Sequence, residues 1–257
     1  MIFYDMRGRG RSDRVADSTH ITIQWDVRDL ETVRRHFGVE RFAPIGWSYL
    51  GLMVMMYAAD HPDRVERVVQ IGPVPRKYGT KYPRDLTADD LPPIPDSAGA
   101  AEIGRLRQSE IATQNPMAHC RRELELTRAA LVGDPRLADK VPDVCEYENE
   151  WPANFGRHTQ NQFVGSIVPL DIPWTTFAKV TVPVLTIHGT HDRNAPYGSG
   201  REWVSHLPNA RLLTVPGAAH MPWIDQPALV FGALDRFLKG DWPPEARPVA
   251  NPAASNY

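Results

Sequence analysis

Pro44-Ile45-Gly46-Trp47-Ser48-Tyr49-Leu50-Gly51 decides how this chain is read. A short apolar run, Phe42 to Ile45, reaches a glycine-bracketed serine and passes at once into the apolar, helix-favouring run Leu52 to Ala59. That order spells a strand, a sharp turn and a helix, with a hydroxyl at the apex. A serine so placed lifts its Oγ above the sheet edge, and the helix N-terminus beneath it favours developing negative charge. The backbone N–H of Tyr49, the next residue, is a candidate oxyanion donor. The spacing is G-x-S-x-L-G, with Leu50 where a second glycine is usual. The plainer alternative is a strand-to-helix turn in which Ser48 only caps the helix.

Working outward, Met1-Ile2-Phe3-Tyr4 reads as a short buried strand that breaks into the turn Arg7-Gly8-Arg9-Gly10-Arg11. Ile23, Val27, Leu30, Val33 and Phe37 recur at helical spacing and stop at Gly38. Val65 to Ile71 is a third strand. Strand, helix, strand, helix, strand argues for an α/β fold with a mostly parallel sheet flanked by helices. After Gly72 the pattern changes to proline-rich and then helical sequence, with amphipathic stretches at Ala101–Thr113 and His119–Val132. The sheet pattern resumes at Val182 to Ile187, and a last strand spans Arg211 to Val215. The expected organisation is therefore a discontinuous core (1–75 and 178–240), a helical lid (76–177) inserted after the third visible strand, and a proline-rich, at most locally ordered tail (241–257). A lid in that position would shape a pocket and exclude water.

The totals narrow the function. A net charge of −2 over 257 residues provides no basic field for nucleic acid. The longest apolar run, Leu50 to Ala59, is too short to span a bilayer. No signal peptide is legible, which gives a cytoplasmic expectation. Cys120 and Cys145 are too few for a disulfide framework, and whether they pair is open. His188, His191 and Asp192 lack a clear further ligand for a metal site. The acids of Glu146 to Glu150 read first as a solvated face.

Two residues fall where strands end, on the same sheet edge as Ser48. Asp192 follows one strand, and His220 follows the next in a glycine-containing loop. A serine hydroxyl needs a base, an imidazole can be that base, and a carboxylate orients the imidazole. The chain resembles the α/β-hydrolase superfamily, most nearly its proline iminopeptidase-like branch. The likeness is carried by Phe3 to Ser12, Asp29 to Arg34, the Ser48 turn, Tyr57-Ala58, His61 to Val65, His188-Gly189 with Asp192, and Gly217 with His220 and Pro222. It covers residues 1–75 and 180–240 well and the insertion poorly.

The resemblance implies a serine hydrolase acting through an acyl-enzyme, with Ser48, His220 and Asp192 as nucleophile, base and acid and no cofactor or metal. Its substrate would be a small molecule or short peptide, attacked as an iminopeptidase or a small-ester carboxylesterase would. It also implies that Glu148 or Glu150 of the lid holds a substrate α-amine; Trp47, beside the nucleophile, is counted with them as a substrate contact. Relatives of this kind open with about three further strands and a His-Gly-rich oxyanion loop, whereas Met1 stands at the fourth strand. Three accounts are open: a shortened chain, a first strand that slides in beside Phe42–Ile45, or a second copy supplying what is absent. The rival from another class is a weakly active or non-catalytic binding protein with an incomplete oxyanion hole.

Overall fold

The computed structural model describes residues 1–13, 15–145 and 165–250. At its centre lie four parallel strands in the order β1 (Ile45–Trp47), β2 (Val68–Ile71), β3 (Val184–Gly189) and β4 (Ala210–Val215). Registers such as Val69 with Leu185, and Leu185 with Arg211, place the carboxyl ends of all four strands along one edge. Strands β2 and β3 are buried at every position, as a sheet covered on both faces requires.

The two faces separate by the period of two. Val68 and Val184 point into a core with α1 (Ile23–His36) and α2 (Tyr49–Asp60), which also takes in Trp203 of α7 (Tyr197–His206). Val69, Leu185 and Ile187 point the other way, onto Val230, Ala233 and Phe237 of α9 (Pro227–Leu238). The sequence YLGLMVMMYAAD is apolar almost all round, so α2 is buried almost all round. α1 is amphipathic. Thr22 caps its start, and Gly38 ends it in the left-handed region, φ 63°. Phe37, expected on the buried stripe, lies past the last turn as the C-cap and is 55% exposed.

Between Ile71 and Val184 no strand occurs among the described residues. This stretch holds α3 (Ser97–Gln108), α4 (Ile111–Gln114), α5 (Pro116–Thr127), the 3-10 turns Arg128–Leu131 and Pro135–Lys140, and α6 (Trp174–Phe177). Cys120 and Cys145 pair, joining α5 to the segment after the second turn. The stretch seats on the sheet domain at residues 131–134. Met221 N–H donates to the Leu131 carbonyl at 2.8 Å, and Gly133 N–H donates to Asp225 of α8 (Pro222–Asp225) at 2.8 Å. Val132 is wholly buried there against Met221.

Two expectations are corrected. Met1–Tyr4 forms no strand: Met1 and Phe3 are 88% and 86% exposed, and among the described residues nothing pairs with the outer side of β1. Instead Met1 to Tyr4 skirt an apolar groove of about 610 Å³ that runs along that edge and is also lined by Leu30, Ile45, Leu50 and Leu238. The first strand thus does not slide in beside β1; an apolar run without a neighbouring ladder has no partner for its N–H and C=O groups. Residues 241–250 are also better held than a loose tail. Leu212 and Arg247 exchange backbone hydrogen bonds of 2.7 and 2.9 Å, Ala246 is fully buried, and Trp242 packs on Phe237.

Candidate active site

Ser48 is the single described residue other than glycine with positive φ, at φ 58° and ψ −125°. An L-residue pays strain there. The turn is held by Ser48 N–H donating to the Ile71 carbonyl at 2.9 Å, and α2 begins at the next residue. Gly46 is obligatory, because a Cβ would overlap the Leu50 carbonyl. Gly51 allows close approach as well: a Cβ there would lie 2.9 Å from Pro73 Cβ. The glycine displaced from position 50 thus serves at 51, and Leu50 lines the groove beside β1, where no strand of the described residues crowds it.

The loops after β3 and β4 bring Asp192 and His220 together. His220 Nδ1 and Asp192 Oδ2 are 2.8 Å apart, and the two residues are 3% and 1% exposed. An ionised carboxylate only accepts, so the proton lies on Nδ1 and leaves the Nε2 lone pair able to accept a proton. Asp192 Oδ1 accepts from the Asn194 and Ala195 N–H groups at 2.8 and 2.9 Å. Burial alone would raise this carboxyl, but the adjacent imidazoles His220 and His188 outweigh it and hold it well below the usual carboxylate range.

Ser48 and the His–Asp pair share one edge through Gly72. That glycine directly follows the strand residue bonded to Ser48, and a Cβ on it would stand 3.0 Å from Asp192 Oδ2 and 3.3 Å from His220 Nδ1. Trp47 ties the same parts from the other side, its indole N–H donating to the His220 carbonyl at 2.8 Å and its ring lying 5.0 Å from the imidazole. Among the described residues no hydrogen bond joins Ser48 Oγ to His220, and such contacts commonly tighten only when substrate is bound. Glu148 and Glu150 lie outside the described residues.

Several site residues escaped the sequence reading. Asp225 accepts from the Ala219 and Gly133 N–H groups at 3.0 and 2.8 Å, so one carboxylate fixes the His220 loop and the 131–134 seat together. Asp26 is 1% exposed and accepts from the Tyr49 hydroxyl at 3.2 Å, directly below the turn. A signal for Asp26 existed: it interrupts the apolar face between Ile23 and Val27. Arg7, which opens the turn after Met1–Tyr4, pairs with Asp29 of α1 at 2.6 Å.

The family profile described as alpha/beta hydrolase fold matches residues 1–227. The chain belongs to the α/β-hydrolase fold family. Proline iminopeptidases are among the proteins it resembles. A probable proline iminopeptidase of Leptolyngbya boryana is 27% identical over 93% of this chain and 78% of its own length. A bifunctional esterase/perhydrolase of Acinetobacter calcoaceticus is 25% identical over 86% of this chain and 74% of its own. Among solved structures, an esterase from Exiguobacterium antarcticum superposes with a TM-score of 0.65 at 17% identity, covering 92% of this chain and 80% of its own. That likeness speaks to fold alone. No helix of the described residues is long and apolar enough to cross a membrane.

Proposed function

We propose that this hydrolase is a serine enzyme working through an acyl-enzyme, with Ser48 as nucleophile, His220 as base and Asp192 as the orienting acid. The observation that carries the reading is the buried 2.8 Å His220–Asp192 bond beside a serine held at positive φ on the same strand edge. His220 Nε2 takes the Ser48 proton as Oγ attacks a substrate carbonyl, and the Tyr49 N–H at the start of α2 receives the oxyanion. The imidazolium then protonates the departing amine or alkoxide, and water repeats the cycle on the ester left on Ser48. No cofactor enters this scheme. The names of the relatives favour removal of an N-terminal residue from a short peptide, with small-ester hydrolysis second. Trp47, against the His220 ring, would border the acyl group.

Labelling by a fluorophosphonate tests the mechanism. Wild type should label at Ser48, whereas Ser48→Ala and His220→Ala should not, with turnover down on the order of 10³-fold or more in each. A well-folded wild type that stays unlabelled would leave a binding protein of hydrolase fold. Comparing prolyl anilides with acetate esters, before and after Glu148→Ala and Glu150→Ala, separates peptidase from esterase.

A further inference from the structure

His188 is the fully buried imidazole that the scheme above leaves without a task. It is the penultimate residue of β3, is 0% exposed, and lies edge-on to Tyr197 with ring centroids 5.8 Å apart. Its Nε2 faces two acceptors, the Ala195 carbonyl at 2.9 Å and Asp192 Oδ2 at 3.3 Å. A carbonyl oxygen cannot donate, so the proton is on Nε2. Nδ1 is buried without a hydrogen-bond partner and packs so closely on Gly200 that a Cβ there would overlap it. A proton at Nδ1 would be a buried donor with nothing to receive it, so the sterically closed side of the ring is its lone-pair side.

We propose that His188 is a positioning residue of the active site: one Nε2–H, shared between the Ala195 carbonyl and Asp192 Oδ2, locks the carboxylate that orients His220. The inference rests on the triad reading for its catalytic consequence, but its structural content does not. With His188 in place, Asp192 receives four donors, two backbone N–H groups on Oδ1 and two imidazoles on Oδ2. The backbone pair fixes one oxygen. His188 then fixes rotation of the carboxylate about its bond to Cβ, and with it the direction in which His220 Nδ1 must point. The charged and titratable groups around the ring are Asp192, His220 beyond it and the Tyr197 hydroxyl, which is occupied by Thr214 at 2.6 Å.

Two measurements test this. In the intact wild-type protein, nitrogen-15 NMR of the imidazoles near neutral pH should show His188 protonated on Nε2 alone; a proton on Nδ1 overturns the proposal whatever the enzyme's activity. The variants read the consequence. His188→Leu removes the donor and should cut kcat about tenfold while KM stays within about twofold, since a slightly misaimed base slows chemistry rather than binding. The downfield proton of the His220–Asp192 bond should weaken or vanish with it. His188→Gln can present an N–H to the same two acceptors and should restore both. A folded His188→Leu protein that keeps the downfield proton and full kcat overturns the proposal. Wild-type turnover in Ser48→Ala would instead remove the triad reading and leave the tautomer result standing.

Discussion

At Gly133 a single hydrogen atom in place of a methyl lets two parts of the molecule touch. A Cβ there would overlap the Gly217 carbonyl of the His220 loop, while its N–H is bound by Asp225. Gly133→Ala should therefore push residues 131–134 off that loop and break the Leu131–Met221 bond. The expected cost is about 1–3 kcal/mol of stability, as for overpacking generally, with a fall in kcat/KM because the displaced loop carries His220, the proposed base. Gly104, inside α3 with open space where its Cβ would be, is the matched control. Gly104→Ala should stabilise by about 0.5–1 kcal/mol through helix propensity. Thermal unfolding of the two variants reads both signs, and a Gly133→Ala protein as stable and active as wild type would show that the seat is not tight.

At the level of elements, α1 is bound to α2 by two carboxylates, Asp26 on Tyr49 and Glu31 on Tyr57. Glu31 accepts from Arg34 at 2.7 and 2.8 Å and from the Tyr57 hydroxyl at 2.8 Å. The Arg34 hydrogen bonds, opposed by desolvation and helped by Tyr57, hold the Glu31 carboxyl down at about 2. A depressed carboxyl stabilises the fold above its ordinary value near 4.5, and that contribution is lost as pH falls from there toward 2. Glu31→Gln should lower the melting temperature at pH 7 and leave it closer to wild type at pH 3. Parallel curves across that interval would count against the assignment. The elements themselves were largely legible from period and punctuation, because Ile23, Val27 and Leu30 of α1, and Val184, Leu185 and Ile187 of β3, bury what their spacing says they should. The Ser48, Asp192 and His220 positions were legible because strand ends in a parallel sheet share an edge. Asp225, His188 and the Gly133 contact were not. Gly133 and Asp225 stand 92 residues apart, a separation no local pattern encodes, and His188, though only four residues from Asp192, gives no sign in its spacing of which way its ring faces. Met1–Tyr4 misled for the converse reason: an apolar β-prone run makes a strand only when a ladder is there to receive it.

Across the whole molecule the two rims of the sheet are treated differently. The β4 side is covered by the chain itself, through Arg247 bonded to Leu212 and Trp242 under the Arg211 guanidinium. The β1 side has no such cover among the described residues. In the ladder Gly46 faces β2, so Ile45 and Trp47 direct their backbone groups outward, next to an apolar groove and to the exposed side chains of Met1, Phe3 and Ile45. An unpaired edge beside apolar surface is a template for another strand, and a net charge of −2 on 257 residues offers little repulsion against a second copy. This chain should accordingly self-associate, its weight-average sedimentation coefficient rising between micromolar and submillimolar concentration. Ile45→Lys places a charge on the edge from a side chain already 38% exposed, so it should reduce association while leaving the melting temperature nearly unchanged. A wild type that sediments as a monomer throughout that range would mean the groove is closed by the chain's own N-terminal residues in solution, and Phe3→Ser would then lower stability instead of association.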